Sequence, residues 1–326
     1  MKCSAAVAPM LAAGVLMAFA SLATAQQVYP AKPIRFVVPY PPGGSTDPMA
    51  RMSGQKLGEI WGQQVIVDNR PGGGSIIGTE FVAKSPADGY TILLASAAFL
   101  TGPSLFPHIP YDTVRDFDAV ATIAKYGHIL VLHPSVPANN LQALIALAKS
   151  KPGQLNYSSS GIGGGVHLVG ELFNSLAGTK IQHVPYKGAG PAVTELIGGQ
   201  VQLSFQAQIA VVSHIASGKL KAIAITGDSR SSALRDVPTF AEAGMPNFDL
   251  VGWFGIVAPA GTPKEVIDKI SNEMAKIMAM PDIRDYLAKQ GMEPFISTSA
   301  QTSALIKADI AKYARIIKAA NIKVEQ

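Results

Sequence analysis

The 326-residue chain is 48% hydrophobic and 15% charged, with 27 Lys and Arg against 22 Asp and Glu for a formal net charge of +5. That is ample apolar content for a real core, and the mild basic excess is scattered with no run of Lys or Arg. The charge pattern therefore argues against nucleic acid as a partner and leaves only a weak bias towards small anions.

Residues 1–25 read as an export signal. Lys2 supplies the positive end, residues 10–20 form an apolar run, and Ala23-Thr24-Ala25 is a small-residue cleavage site. Cleavage there starts the mature chain near Gln26 and leaves 301 residues, 26 of them basic and 22 acidic, for a net charge of +4. The apolar run is too short for a membrane span, and nothing later approaches the ~20 apolar residues a span needs. Cys3 leaves with the signal, so the mature chain carries neither disulfides nor thiol chemistry. At about 150 residues per domain, this length predicts two domains or lobes.

Ile34–Val38, residues 65–67 and Thr91–Ala95 are short aliphatic runs with helical patterns between them, the signature of βαβ units around a parallel sheet. The first strand runs into Pro41-Pro42-Gly43-Gly44-Ser45-Thr46-Asp47-Pro48, where prolines and glycines turn the chain into a helix with Asp47 as N-cap and Pro48 at N1. Such a turn aims backbone N–H groups and the positive end of a helix dipole at one point beyond the strand, a place for an anion. No Lys or Arg lies in the turn, so binding there rests on backbone donors. The same device returns at Arg70-Pro71-Gly72-Gly73-Gly74-Ser75-Ile76-Ile77-Gly78 and at Ser158-Ser159-Ser160-Gly161-Ile162-Gly163-Gly164-Gly165. One Gly-rich turn is an ordinary connection. Three of them point to a ligand, because open α/β sheets bind ligands beyond the carboxyl ends of their strands. Asp47 and Arg51, four residues apart, read as a structural cap and pair.

Residues 101–118 are Pro-rich and read as a surface excursion, after which residues 129–132 read as a strand crossing between lobes. The second lobe repeats the alternation, with helices over 141–149, 166–176, 191–197 and 209–216 and strands over 155–158, 181–184, 201–205 and 220–226. Thr239 and Glu242 form a short capping box stopped by Gly244. Residues 253–258 cross back, and two crossings make a hinge. Thr262-Pro263-Lys264-Glu265 opens the next helix with a capping box and an N1 proline, and the tail ends in a helix from about Ser299 to Ala320.

Motifs for chemistry are sparse. Gly161-Ile162-Gly163-Gly164-Gly165-Val166 begins like a dinucleotide fingerprint but has Val166 at the third glycine position, and Gly74-Ser75-Ile76 lacks the lysine of a phosphate loop. No Gly-x-Ser-x-Gly elbow is present. The six histidines, at 108, 128, 133, 167, 183 and 214, include no pair at metal-site spacing with a third ligand nearby. No cofactor and no metal are expected, and most histidines read as satisfied surface or core residues. His167, on the first helical turn after the third Gly-rich turn, is kept as a ligand candidate, as are Tyr186 and Lys187 at another strand end. No acid/base constellation stands out.

The order of six motifs carries a resemblance. They are Pro41-Pro42-Gly43-Gly44-Ser45-Thr46-Asp47, Asn69-Arg70-Pro71-Gly72-Gly73-Gly74 with Gly78, Ala87-Asp88-Gly89-Tyr90-Thr91, His183-Val184-Pro185-Tyr186-Lys187-Gly188, Asp236-Val237-Pro238-Thr239 with Glu242-Ala243-Gly244, and Ala258-Pro259-Ala260-Gly261-Thr262-Pro263. Over essentially the whole mature chain they closely resemble the Bug family of periplasmic solute-binding receptors, the extracytoplasmic component of tripartite tricarboxylate transport systems. The resemblance implies an α/β, two-lobe, type II Venus-flytrap fold with mostly parallel sheets flanked by helices and two crossover strands as hinge. Residues 26–130 and 252–298 would form lobe 1, residues 131–251 lobe 2, and residues 299–326 a C-terminal helix.

It further implies a periplasmic monomer that takes a small carboxylate, whether dicarboxylate, tricarboxylate or aromatic acid, for uptake or sensing, with a membrane transporter or sensor as partner. One ligand carboxylate would sit on Pro42, Gly43, Gly44 and Ser45 together with Gly73, Gly74, Ser75, Ile76 and Ile77. Ser96 joins this set. Ser159, Ser160, Gly161, Gly163, His167, Tyr186 and Gln206 would select the rest of the ligand from the second lobe. Many relatives carry an acidic residue after Phe205, where Gln206 stands here, which argues against an amino acid whose ammonium needs a carboxylate partner. A secreted enzyme acting on a small carboxylate or ester is the alternative, and turnover separates the two.

Overall fold

The computed structural model describes residues 29–248 and 250–322. The expected signal, residues 1–25, and the last four residues of the expected C-terminal helix lie outside the described residues. Aliphatic five-residue runs make the first strands: β1 (Ile34–Val38) pairs in parallel with both β2 (Val65–Asn69) and β3 (Thr91–Ala95). Helices α1 (Thr46–Trp61) and α2 (Ile76–Ala83) connect them. Where an irregular excursion was expected, α3 (Ala97–Leu105) forms with Pro103 inside it. Burial of Ala97, Ala98, Phe99, Leu100, Thr101, Gly102 and Leu105 overrides the breaker signal of the proline.

The centre of the sheet is β4 (Phe117–Leu132), a 16-residue strand. Residues 117–127 pair with β9 (Val251–Pro259), whereas residues 128–132 pair with β7 (Leu203–Ala207) and residues 129–132 also with β8 (Lys221–Ile225). The short β10 (Met292–Pro294) pairs with the first part of β4. Beyond β7, β5 (Asn156–Ser159) pairs in parallel with β7 and β6 (Gln182–Pro185), which gives the order β2-β1-β3-β9-β4-β7-β5-β6. The expectation of mostly parallel sheets therefore holds for the outer strands only. Every pairing of β4, and that of β3 with β9, is antiparallel. The chain leaves the first set of βαβ units along β4 and returns along β9, and two strands running out and back side by side must pair antiparallel.

The remaining helices are α4 (Leu141–Ser150), α5 (Gly165–Ala177), α6 (Ala189–Ile197), α7 (Val212–Ala216), α8 (Lys264–Ala279), α9 (Pro281–Lys289) and α10 (Ser299–Ala319). Helix α10 opens on a reciprocal capping box of Thr298 and Gln301 and is tied to β9 by Trp253 Nε1, which donates to Asp309 Oδ2 at 2.7 Å. Thr239 and Glu242 also cap each other, by N–H···O bonds of 3.1 and 2.7 Å. The capping box expected at Thr262 does not form, because its hydroxyl donates to the Pro259 carbonyl at 2.7 Å and Pro263 becomes the N-cap of α8. Under β7, the rings of Phe173, Phe205, Phe240 and Phe248 pack with centroids 4.3 to 6.5 Å apart. Strand alternation then turns Gln206, the neighbour of Phe205, towards the opposite face.

Gly127 sits where β4 passes from one set of partners to the other. A Cβ there would collide with the Thr226 carbonyl and lie 2.8 Å from Ile225 Cγ1, in a packed interior that absorbs extra volume poorly. Gly127→Val should destabilise the fold by about 3 kcal/mol, seen as a lowered urea midpoint. An unchanged midpoint would show that the strand has room at this position.

Candidate ligand site

Four strand-to-helix turns end at one place. Helix α1 starts after Ser45, α3 after Ser96, α5 after Gly164 and α6 after Gly188, and in none of them does the N-cap side chain hydrogen-bond to the first turn. Backbone N–H groups that a helix start leaves without intrahelical partners are therefore not taken up by caps. Ser45 and Thr46, Ser96 and Ala97, Gly165 and Val166, and Ala189 line a single small cavity of about 40 Å3, closed by Tyr40, Gly44, Tyr126, His128, Ser160, Gln206, Ala207 and Phe254. No Lys, Arg, Asp or Glu is among the described residues that line it. Its field comes from aligned backbone dipoles, which favour an anion.

Small side chains allow this convergence. A Cβ on Gly165 would lie 3.0 Å from Ala97 Cβ and 3.3 Å from His128 Cε1, so glycine lets the starts of α3 and α5 come this close without displacing either neighbour. The expected N-cap, Asp47, lies inside α1 instead, where it accepts from Arg51 Nε at 2.9 Å and from Asn69 Nδ2 at 3.0 Å. The structural pair exists and Ser45 takes the cap position.

A wider cavity of about 750 Å3 adjoins the first and shares Tyr40 and Ser160 with it. Its walls are Pro39, Pro41, residues 71–76, Phe106, Gly161, Ile162 and residues 185–188, so they are mainly proline, glycine and apolar groups, with Lys187 as the one cation among the described lining residues. Beside it, Thr101 Oγ1 donates to the Gly163 carbonyl at 2.5 Å, which ties α3 to the turn before α5.

Of the residues expected at the site, Gly44, Ser45, Ser96, Ser160 and Gln206 line the inner cavity. Gly73, Gly74, Ser75, Ile76, Gly161 and Tyr186 line the outer one, again with Ser160. The Gly44 and Gly74 turns, expected to share one carboxylate, thus face different cavities. Pro42, Gly43, Ile77, Ser159, Gly163 and His167 line neither. Ile77 is 55% exposed and belongs to a surface groove with Phe81 and Lys84. Ser159 is buried against His183, with Oγ 2.6 Å from Nε2, and braces the Gly161 turn. His167 falls on the third residue of α5, past the backbone that faces the cavity. Its Nδ1 accepts from Gly163 N–H at 3.2 Å and its ring stacks on His183 at 4.1 Å, in a separate cavity with Glu171.

His128 is the functional candidate that sequence reasoning set aside as satisfied. It is 2% exposed, lines the inner cavity edge-on to Tyr126, and neither ring nitrogen reaches a hydrogen-bond partner of normal geometry among the described residues. A single polar residue ahead of the apolar run Ile129-Leu130-Val131-Leu132 is the signal that could have found it, because a buried polar group is more informative than an exposed one.

Burial holds the His128 imidazole down to about 4, against a weaker opposing pull from the Phe205 backbone. Burial likewise holds His167 to about 4 and His183 to about 3, the latter helped by its neighbour His167. Each imidazole binds its proton less readily folded than unfolded, where the usual value is 6.5. The unfolded chain therefore binds more protons below pH 6.5, so this stability is fully present above 6.5 and is lost as pH falls towards 4. Each group contributes on the order of 1–3 kcal/mol. Urea unfolding at pH 7 and pH 4.5 should show a lower midpoint at pH 4.5, and His167→Asn should narrow the gap; equal midpoints in the unsubstituted protein would contradict these assignments.

The chain matches the Tripartite tricarboxylate transporter family receptor over residues 49–322. It is 39% identical over 316 residues to BugT of Bordetella pertussis, which covers 96% of this chain and 97% of that protein. An R. palustris protein solved with adipate is 32% identical with a TM-score of 0.89, over 90% of this chain and 99% of that one. The periplasmic binding protein BugD is also 32% identical, with a TM-score of 0.87 over 91% of this chain and 100% of its own. MatC from Rhodopseudomonas palustris, solved with bound malate, is 27% identical with a TM-score of 0.83 over 89% of this chain and 100% of its own. With its α/β periplasmic-binding-protein fold, the chain belongs to the tripartite tricarboxylate transporter receptor family, the family of BugT and BugD and of solute-binding receptors.

Proposed function

We propose that this receptor captures a small carboxylate whose oxygens accept from backbone N–H groups at the starts of α1, α3, α5 and α6. The observation that carries the reading is the convergence of four uncapped helix starts on one cavity that no charged side chain lines. An anion supplies the charge those dipoles lack, and each charge-assisted hydrogen bond contributes roughly 1.5–3 kcal/mol. A cation would meet four positive helix ends. The adipate and malate named for relatives support a carboxylate over other anions.

The inner cavity, at about 40 Å3, takes a head group, and the rest of the ligand extends into the outer cavity, whose prolines, Phe106 and Ile162 suit a carbon chain or ring. In this reading the first lobe comprises residues 26–130 and 252–298 and the second residues 131–251, with the hinge where β4 and β9 join them. Helices α1 and α3 then belong to one lobe and α5 and α6 to the other, so neither lobe completes the donor set alone. Contacts formed only on closure supply the differential affinity that a conformational change requires. Residues 1–25 direct export to the periplasm, and the protein passes its ligand unchanged, as a monomer, to a membrane transporter or sensor.

Titration calorimetry with C3–C6 carboxylic acids and their methyl esters tests the anion site. Losing one charge-assisted bond should weaken an ester at least about tenfold against its acid. Gly165→Val, which fills the inner cavity, should abolish measurable binding while ligand-free thermal unfolding stays cooperative. An ester that binds as tightly as its acid, or full affinity in Gly165→Val, would refute the site.

A further inference from the structure

We infer that His128 hydrogen-bonds a neutral donor on the carbon next to the ligand carboxylate, so that the receptor selects hydroxycarboxylates over their deoxy counterparts. This rests on the carboxylate reading above. The imidazole is 2% exposed in a strand whose next four residues are wholly buried and apolar, and neither nitrogen has a partner of normal geometry among the described residues, the Phe205 backbone being the polar group that still acts weakly on the ring. Buried polar groups without partners are rare and costly, and such a group facing a cavity points to what the cavity receives. The Cε1–Nε2 edge faces the start of α5, with Nε2 3.6 Å from where a Gly165 Cβ would stand, and Tyr126 and the imidazole form a T-shaped pair at 5.3 Å between centroids.

The hydrogen-bonding balance of the cavity then narrows the ligand class. Helix starts offer donors only, which suits carboxylate oxygens. The lining hydroxyls of Tyr40, Ser45, Thr46, Ser96, Tyr126 and Ser160 can donate or accept, but none of them reaches the imidazole nitrogens. A neutral imidazole offers one donor and one acceptor. The donor nitrogen can join the helix N–H groups, but the acceptor nitrogen is repelled by a carboxylate and needs an O–H or N–H from the ligand. Gln206 adds a second acceptor, because its Nε2 donates to Ser204 Oγ at 2.9 Å and its amide oxygen is the remaining polar end. An ammonium would fill these acceptors but finds no carboxylate in the lining and four positive helix ends around it. A hydroxyl is neutral and donates. It is also small: about 40 Å3 holds roughly three water-sized groups, enough for a carboxylate and one adjacent hydroxyl.

Matched pairs test this by calorimetry at pH 7, where the imidazole is uncharged: malate against succinate, lactate against propionate, and mandelate against phenylacetate. At least one hydroxy acid should bind tenfold or more tightly than its deoxy partner. His128→Leu should bring that acid down to its partner's Kd, whereas His128→Gln, which keeps a donor and an acceptor, should retain part of the ratio. Should His128→Leu fail to fold, as its ligand-free thermal melt would reveal, His128→Phe keeps a ring without the polar edge and takes its place. Equal affinities within every pair, or a ratio that survives in the folded apolar variant, overturns the inference and leaves the carboxylate site standing. If no acid in this panel or in the C3–C6 series above binds at all, the carboxylate reading falls with it.

Discussion

A helix start without a cap is an unfinished hydrogen-bonding surface, and in this protein four of them face one another across a few ångströms. Each brings partial positive charge that water would otherwise solvate. Held together without a neutralising carboxylate, they repel, so something in the fold must pin them. Part of the pinning is steric: glycine at 165 and alanine at 97 and 189 let backbones approach where larger side chains would hold them apart. Part is a hydrogen bond, from Thr101 to the Gly163 carbonyl, which couples α3 to the turn before α5. The geometry makes an anion a structural complement of the fold as well as its cargo.

The sheet explains why these starts point the same way. Strands β1, β3, β5 and β6 each end in a turn that opens one of the four helices or the loop leading to it, and the long β4 aligns the first pair with the second. Because β4 carries both sets of hydrogen bonds in one continuous strand, it fixes the register between the walls of the cavity. His128 stands one residue beyond the change of partners at Gly127 and, with Tyr126 on the other side of that glycine, lines the cavity from β4. The phenylalanine cluster beneath β7 holds Gln206 against the other side in the same manner.

The turns at residues 41–48 and 158–165 were legible in the sequence because proline and glycine punctuate the chain between an aliphatic run and an amphipathic one, a local signal with a local cause. The start of α3 was not read as a helix, since Pro103 reads as a breaker and only tertiary burial outweighs the hydrogen bond the proline removes. The antiparallel centre was hidden for a different reason: each strand's composition is the same whichever way its neighbour runs. Capping motifs split. Thr239 with Glu242 formed as written, while the Thr262 hydroxyl found the Pro259 carbonyl first, a competition between equally local partners. His167 lines neither cavity because it falls on the third residue of α5, and spacing alone does not fix that single residue of register; His128 lies in a strand, where only the tertiary fold shows that its buried ring borders a cavity.

Backbone amide spectra of the mature, isotope-labelled protein, recorded during titration with a carboxylate that calorimetry shows to bind, address the helix-start site most directly. The largest downfield shifts are predicted at the N–H groups of Thr46, Ala97, Val166 and Ala189, which come from four separate helices and would move together with one saturation curve. Shifts confined to the Gly73–Ser75 turn, or spread over exposed surface with those four amides unmoved, would contradict it.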